Sequence, residues 1–426
     1  MATMKEHKVL KPYYYDKFSC IGAACETNCC TRPWRIFIDK RTYTAYRNVK
    51  EPVFRKKIEN CVKRVRDERA SDGHYAEFVL ADGATCPFQA ENGLCEIHRD
   101  LGEGFLCVTC RKYPRLVKSI SGEYMELSVS MSCPEAVRVA LFDEEPMEFI
   151  AEILEYKAND PIMAGAITVR QSEPETEYLK HGWIMREAAV ELMQSRQAPI
   201  PHRMIVIGMM LNKAVQLHDE KKADEIPAAL DVYRRGMAEG QFSEALSAAN
   251  PKAVSRRDIN VLLYQVIAQK AGTLPDSVFA ELMKRYKEYN ESQGIDPDTA
   301  TKAHSYYKYF MLTAALHWEE FLSDWSHLME NYLVNYIFSE LFPLQFHDRG
   351  LNPYHHTLIL AEQFALLKML LCGNYDPDAG FTKENLTRTF AHVAEMNQHT
   401  ENPLIIAEKY KSAGLDKLAY LYYLLL

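Results

Sequence analysis

Cysteine is the residue whose placement in this sequence points most directly to chemistry. Ten of the eleven cysteines lie within the first 133 residues, and the exception is Cys372. Thiolates held on tight loops are the ligands that iron–sulfur clusters and structural zinc ions require. The concentration of cysteine therefore indicates a metal centre in the first third of the chain.

The candidate ligands form two runs with irregular spacing. The first run has the pattern Cys-x4-Cys-x3-Cys-Cys, and the second has the pattern Cys-x8-Cys-x11-Cys-x2-Cys with one further cysteine after it. The members are Cys20, Cys25, Cys29 and Cys30, then Cys86, Cys95, Cys107 and Cys110, followed by Cys133. Because four sulfurs complete a [4Fe–4S] cluster, the sequence offers more thiols than one cluster needs. Either the surplus thiols only pack, or a second metal site exists.

Three kinds of cysteine chemistry compete for this pattern. Disulfides are disfavoured, because the N-terminus MATMKEHKVLKPYYYDKF lacks the apolar run of a secretory signal and the cytoplasm is the expected location. Structural zinc suits the half-site Cys107-x2-Cys110, but no second Cys-x2-Cys accompanies it. An iron–sulfur cluster is favoured, because the corners of a cubane point in different directions and accept ligands from separate segments.

Signatures of several common enzyme classes are missing. The usual radical enzymes carry Cys-x3-Cys-x2-Cys, whereas Cys25-x3-Cys29 is followed here directly by Cys30. The absence of a Gly-x-Gly-x-x-Gly fingerprint argues against an ordinary Rossmann methyltransferase or dehydrogenase. Repeating βα units are also missing, so a TIM barrel has little support.

Composition and charge describe an ordinary folded protein with 47% hydrophobic residues. The most apolar stretch, residues 358–371, is interrupted by Glu362, Gln363 and Lys368, and it is shorter than the roughly 20 apolar residues that cross a bilayer, so no membrane span is expected. Residues 1–133 carry 22 Lys/Arg against 17 Asp/Glu, and the remainder carries 28 against 41. This asymmetry makes an acidic protein surface a plausible partner of the N-terminal part. Nucleic acid is not indicated, because the basic residues form no stripe.

The elements that position the cysteines are predicted to be short strands, turns and loops. Alternating residues predict a strand over 34–39 and a hairpin whose strands, 116–120 and 123–131, flank the turn dipeptide Ser121-Gly122 and deliver Cys133 just past their end. After Pro134 the spacing becomes helical. Helices are predicted over 145–157, 184–197, 204–217, 256–270, 276–288, 302–325, 327–341, 355–372, 383–399 and 415–425.

The fold class that follows is α+β and mainly α. A small cysteine-rich, cluster-binding domain with short strands is expected over residues 1–140, and a large helical bundle domain over residues 141–426. Breaks between helices are expected near residues 172–174, 198–201 and 347–353, where Pro, Gly and polar residues gather.

Several segments resemble the flagellin lysine N-methylase family. The N-terminal segments are FSCIGAACETNCCTRPWRIFIDKRTY from Phe18, CPF from Cys86, GLCEIH from Gly93, LGE from Leu101, TCRKYPR from Thr109 and SCPEA from Ser132. NYLVNYIF from Asn331, LFP from Leu341 and RTFAH from Arg388 are similar to the helical portion of the family. The resemblance spans most of the chain and is strongest up to about residue 136.

The resemblance implies an enzyme that transfers methyl groups from S-adenosylmethionine to lysine side chains of flagellin and carries a [4Fe–4S] cluster. One departure concerns Cys107, because the family usually has Ser there; Cys61 and Cys372 lie outside the matched segments. The predicted metal ligands are therefore Cys20, Cys25, Cys29, Cys30, Cys86, Cys95, Cys110 and Cys133.

The catalytic and donor-binding residues are not identified by the sequence. Five residues flank the ligand segments and are expected mainly to pack and hydrogen-bond around the metal centre: Trp34, Arg35, Asp39, Tyr113 and Arg115. Two other functions use the same cysteines. One is a zinc- or cluster-stabilised module for protein binding, and the other is a redox or metal-trafficking protein that does not bind S-adenosylmethionine.

Overall fold

The computed structural model describes residues 4–26, 28–32, 34–83, 85–120, 123–157, 167–169, 180–248, 277–294, 302–344, 350–398, 402–412 and 414–425. The chain divides into two compact units. The cysteine-rich unit comprises Met1–Val139 and Glu148–Arg170, and the helical unit comprises Ala140–Met147 and Gln171–Leu426. The expected α+β architecture, with strands in a small N-terminal part and helices in a large second part, is confirmed.

The larger sheet of the cysteine-rich unit has the strand order β7-β1-β6-β5-β8. Its strands are β1 (Met4–Pro12), β5 (Arg115–Ile120), β6 (Tyr124–Val129), β7 (Phe149–Lys157) and β8 (Ile167–Val169). Strands β5 and β6 form the predicted antiparallel hairpin, with Arg115 opposite Val129 and Ile120 opposite Tyr124. The turn dipeptide 121–122 lies outside the described residues, and Cys133 follows the hairpin as predicted.

Strand β7 corrects one expectation, because residues 145–157 were predicted to form a helix. Nine residues of β7 pair antiparallel with β1, from Phe149 opposite Pro12 to Lys157 opposite Met4. The strand alternates between half-buried and exposed side chains along most of its length, which is the period of a strand. Pairing with the N-terminal strand β1 therefore outweighs the local helix preference of the Glu and Leu residues in β7.

The described part of this unit also contains a smaller antiparallel sheet, four α-helices and several short helical turns. The sheet has the order β2-β4-β3, and its strands are β2 (Phe37–Ile38), β3 (Val62–Arg64) and β4 (Ala76–Phe78). The helices are α1 (Lys40–Arg47), α2 (Pro52–Cys61), α3 (Val108–Lys112) and α4 (Pro134–Leu141). Asp39 begins α1 as its N-cap, since its carboxylate accepts hydrogen bonds from the N–H and the hydroxyl of Thr42.

The small sheet and its helices enclose a compact core that includes thiols. Aromatic and aliphatic side chains from the sheet, from α1 and α2, and from the loop after β4 make up most of this core. Cys86 and Cys107 are buried members of the core, and Cys30, Cys95 and Cys110 pack against it. Packing against this core therefore fixes where the cysteine-bearing loops lie.

Helices account for the regular structure described in the helical unit. They are α5 (Gly182–Met193), α6 (Ile200–Asp219), α7 (Ile226–Ala238), α8 (Ser243–Ala248), α9 (Val278–Ser292), α10 (Lys302–Ser339), α11 (His355–Gly373), α12 (Lys383–Gln398), α13 (Asn402–Ser412) and α14 (Leu418–Leu425). The two helices predicted over 302–325 and 327–341 are one continuous helix, α10, because Ser326 interrupts neither its backbone nor its burial. The helix predicted over 256–270 lies outside the described residues.

Helix α11 is the central helix of this unit. It packs against α6, α9, α10, α12, α13 and α14, and every residue except Lys368 is buried. Among the described residues, it is also the one helix that is long and apolar enough to cross a membrane, and 94% of that stretch is buried within the fold.

Candidate metal centre

Six of the cysteines come together in the cysteine-rich unit and are called here the main thiol group. Its members are Cys29, Cys30, Cys86, Cys95, Cys107 and Cys110, all of which are free thiols. Buried Cys86 is the common neighbour, because it is hydrogen-bonded to Cys30 and interacts electrostatically with the others. Three separate segments of the chain therefore meet at this point.

Backbone and amide hydrogen bonds hold the loops of the main thiol group together. The amide of Asn28 accepts from the N–H of Cys30 at 2.8 Å and donates to the carbonyl of Gly93 at 2.7 Å. The N–H of Cys86 donates to the carbonyl of Cys30 at 2.7 Å. Gly93 has a φ of 78°, a left-handed backbone conformation that glycine adopts without strain. The first cysteine run is thus fastened to the second.

Backbone N–H groups also point at the sulfur atoms. Three sulfurs of the main thiol group accept hydrogen bonds from N–H groups two or three residues further along the chain. The donors are Phe88 for Cys86, Ile97 and His98 for Cys95, and Cys110 for Cys107. Such bonds stabilise the thiolate, which is the form of cysteine that binds metals.

Hydrogen bonds between thiols shift the pKa values of the two partners in opposite directions. The hydrogen bond from Cys30 lowers the pKa of Cys29 to about 7 and also lowers the pKa of Cys86, while the pKa of Cys30 itself is raised. In the second pair, the hydrogen bond from Cys110 lowers the pKa of Cys107, and the pKa of Cys110 is raised. The group therefore holds acidic thiols beside thiols that keep their protons.

A second thiol group contains the remaining predicted ligands, Cys20, Cys25 and Cys133. Cys133 precedes α4, and its sulfur accepts hydrogen bonds from the N–H groups of Glu135 and Ala136. Electrostatic interactions link it to Cys25 and Cys20, and burial raises its pKa to about 12. The eight predicted ligands are thus distributed over two groups, five in the main thiol group and three here.

Cys107 was left out of the predicted ligands because of the family pattern, but the structure places it in the main thiol group. It is 1% exposed, it precedes α3, and its thiol is hydrogen-bonded to Cys110. Its spacing from Cys110 was the signal that could have kept it among the candidate ligands. Cys61 lies near Cys86, whereas Cys372 is buried on α11 of the helical unit, where burial raises its pKa to about 12.

Four of the five residues expected around the metal centre make local contacts in the cysteine-rich unit. The indole N–H of Trp34 donates to the carbonyl of Cys29 at 2.8 Å, and the indole ring meets Tyr113 edge-on at 5.0 Å. Asp39 also accepts from the N–H of Val108 at 3.3 Å, which connects the start of α1 to α3. The guanidinium of Arg115 lies 5.0 Å from the centre of the Phe18 ring. Arg35 is exposed.

The main thiol group has the donor chemistry of an iron–sulfur site without the geometry of a preformed one. Among the residues that the structure describes, no three His, Cys, Asp or Glu side chains are arranged as the ligands of a preformed metal site. The chemistry of the main thiol group nevertheless fits an iron–sulfur cluster, since it offers free sulfurs, acidic thiols and N–H donors to sulfur. Binding a cluster would replace the S–H···S hydrogen bonds by bonds to iron.

Comparison with known proteins places the helical unit in a described family. The family model for the FliB lysine N-methylase C-terminal domain matches residues 186–424, which is more than half of the chain. The matched region includes α6 to α13 and most of α5 and α14.

Curated relatives match a shorter part of the chain. A Lysine-N-methylase of Salmonella typhimurium (strain LT2) is 31% identical over 145 residues, which cover 34% of this chain and 35% of that protein. The Flagellar biosynthetic protein FliU of Salmonella muenchen is also 31% identical over 145 residues, which cover 34% of this chain and 83% of that protein. The chain thus spans about a third of the length of the Lysine-N-methylase it matches. No solved structure matches the chain.

Proposed function

The chain belongs to the FliB lysine N-methylase family, and from this premise we propose that it transfers methyl groups from S-adenosylmethionine to lysine side chains of flagellin. The match of the family model to residues 186–424 is the observation that carries the proposal. Relatives named Lysine-N-methylase support lysine as the acceptor, and the relative named as a flagellar biosynthetic protein supports a flagellar substrate. The cytoplasm, where flagellin is made, is the proposed location.

The proposed cofactor is a [4Fe–4S] cluster held by four cysteines of the main thiol group. The number of free thiols, their acidity and the N–H groups directed at their sulfurs support this assignment. Bound there, the cluster would supply a redox-active centre, or an iron atom able to bind the amino acid end of the methyl donor. The cysteines hold it, and Asn28, Gly93 and Trp34 fix the loops that carry them.

Chemistry of the acceptor sets further requirements on the protein. A lysine side chain is cationic in water, with a pKa of about 10.4, so its nitrogen has no free electron pair for the methyl group. The protein must accept one proton from the ammonium, exclude water from the neutral amine and align it with the methyl sulfonium. Carboxylate and tyrosine side chains in a desolvated site are suited to these tasks.

The proposal is tested with anaerobically purified full-length protein, flagellin and S-adenosylmethionine carrying a labelled methyl group. We expect label in flagellin, and mass increases of one methyl group or its multiples on lysine residues in peptide mass spectra. Flagellin whose surface amines have been blocked by acetylation is the matched control and should remain unlabelled. No label above the level of that control, with active donor and folded protein, would contradict the proposal.

The cofactor is tested separately on the same preparation. A cluster gives a brown protein that absorbs near 400 nm, with about four iron atoms and four acid-labile sulfides per chain. Colourless protein with tightly held zinc would instead favour the zinc-stabilised binding module. A brown protein that binds no S-adenosylmethionine would favour the redox or metal-trafficking function.

A further inference from the structure

Helix α11 carries a buried carboxyl group that no hydrogen bond or ion pair among the described residues satisfies. Glu362 is 2% exposed, and neither of its carboxyl oxygens has a hydrogen-bond partner among the described residues. Leaving a buried polar atom without a partner costs roughly 1–3 kcal/mol, and burying an uncompensated charge costs more. A group retained at such a cost is suited to bind a partner from beyond the described residues.

Glu330, on α10 of the same unit, shows what a structural glutamate looks like here. It is also 2% exposed, but its carboxylate is bound by two arginines. Arg203 donates to one oxygen at 2.7 Å, and the Nε of Arg196 donates to the other at 3.0 Å. Glu330 is therefore neutralised by its own fold, whereas Glu362 is not.

Tyrosines on two helices that pack against α11 lie near the Glu362 carboxyl group. Tyr332 and Tyr336 on α10 and Tyr410 on α13 all interact electrostatically with it. The Tyr332 hydroxyl donates to the side-chain carbonyl of Gln363 at 2.8 Å, and the Tyr410 hydroxyl has no hydrogen-bond partner among the described residues. A carboxyl group with tyrosines nearby is complementary to an alkyl cation such as a lysine ammonium.

We propose that Glu362 is the catalytic residue that receives the ammonium of the acceptor lysine and takes its proton, with Tyr332, Tyr336 and Tyr410 beside it. This inference rests on the proposed methyl transfer. The carboxylate of Glu362 takes one proton and becomes a neutral carboxyl, and the lysine nitrogen gains a free electron pair. That pair forms the N–CH3 bond while the C–S bond of the donor breaks, and its electrons stay on sulfur. The carboxyl then returns its proton to solvent.

The surroundings of Glu362 suit this task. Burial raises its pKa to about 8, and a proton acceptor is most effective when its pKa lies near the working pH. Burial also keeps water away from the neutral amine. Since α10 and α13 enclose the carboxyl, a lysine side chain reaches it only when these helices separate, which couples substrate binding to a movement of the helical unit.

The role of Glu362 is tested by comparing Glu362→Gln with wild type in the flagellin methylation assay. We expect kcat to fall about 100-fold or more, because positioned proton transfer contributes that factor, while the Kd for S-adenosylmethionine stays within about threefold. The deficit should shrink as the pH rises towards the pKa of free lysine, about 10.4, where the substrate loses its proton unaided. Glu408→Gln, an exposed change on α13, is the matched control and should keep wild-type transfer.

Three outcomes would overturn the inference. The first is an active wild type whose Glu362→Gln variant transfers methyl groups within about threefold of it. The second is a Glu362→Gln variant that loses donor binding, because the cation received would then be the sulfonium. The third is a fall in the Tm of Glu362→Met as large as that of Glu330→Gln, which would make Glu362 structural. Glu362→Met removes the carboxyl and keeps the length of the side chain, and we expect its Tm to be unchanged or higher. An inactive wild type would instead contradict the proposed function itself. The Tm comparison would still show whether Glu362, unlike Glu330, is dispensable for stability.

Discussion

The two units place their reactive groups in opposite surroundings. In the cysteine-rich unit the thiols lie on loops, and hydrogen bonds from neighbouring thiols and backbone N–H groups lower the pKa of Cys86 and Cys107, which stabilises the anion. In the helical unit Glu362 lies inside a helix cluster, where burial favours the neutral form. The first environment suits ligands that must lose a proton to bind metal, and the second suits a group that takes one up. The fold of each unit thus selects a different kind of chemistry.

Removing the central thiol should give the largest effect. We expect Cys86→Ser to reduce the iron content from about four atoms per chain to nearly none, because Cys86 neighbours every other member of the main thiol group. Iron and acid-labile sulfide analysis measures this directly. Cys372→Ser, a buried cysteine of the helical unit, is the matched control and should keep its iron. A wild-type iron content in Cys86→Ser would contradict the assignment of the cluster to the main thiol group.

Removing the negative charge of Glu330 in the helical unit should give the next largest effect. Glu330→Gln leaves Arg203, which is also buried, without its anion, and breaking such a pair costs about 3–5 kcal/mol of the free energy of unfolding. Urea denaturation followed by circular dichroism measures the loss, and Glu408→Gln provides an exposed glutamate change for comparison. A loss below about 1 kcal/mol would mean that the two buried glutamates do not differ as described.

The pH dependence of stability should distinguish the same two glutamates. The pKa of Glu362 is about 8 in the folded chain and lower when the chain unfolds, so the native state binds more protons between the two values. Stability should therefore fall as pH rises from about 5 to about 8, by at most about 1.4 kcal/mol per pH unit. The titratable groups that face the carboxyl are tyrosines, whose own pKa values burial raises, so they do not titrate in this range. Urea denaturation at several pH values should give a flatter profile for Glu362→Gln, and equal slopes would contradict the assignment.

Local sequence patterns predicted the structure where neighbours in sequence decide it. The hairpin of β5 and β6 and helices such as α6, α11 and α12 follow from alternation or helical spacing within one segment. Strand β7 was missed because its partner β1 lies about 140 residues earlier, and no local pattern records that pairing. Short helices such as α1 and α2 were also missed, because their few apolar positions give little periodic signal.

The same distinction holds for the candidate sites. Cysteine spacing predicted the segments that meet in the main thiol group, because thiols are rare and their chemistry is specific. It did not predict that Cys20, Cys25 and Cys133 would form a separate group, since the spacing says nothing of where loops fold. Glu362 was interpreted only as an interruption of an apolar run, because a buried carboxyl and an exposed one look alike in sequence.

Removing the N-cap of α1 should have a moderate effect on stability. Asp39→Ala removes the acceptor for the N–H groups of Thr42 and Val108, and we expect a loss of about 1 kcal/mol in the free energy of unfolding. Hydrogen bonds from these groups outweigh burial and lower the pKa of Asp39, so its contribution is present at neutral pH and is lost as the pH falls through that lowered pKa. Urea denaturation at pH 7 and in acid should show a wild-type advantage at neutral pH that narrows in acid. Thr44→Ala, an exposed change on the same helix, is the control.

The smallest expected effect tests the separation of the two thiol groups. Cys133→Ser changes the second thiol group, in which the thiols that interact electrostatically with Cys133 are Cys25 and Cys20. The iron content should therefore stay at the wild-type value within error, in contrast to Cys86→Ser, when both variants are purified side by side under anaerobic conditions. Loss of iron from both variants would mean that thiols from the two groups ligate one cluster, and that the hairpin leading to Cys133 closes the metal centre.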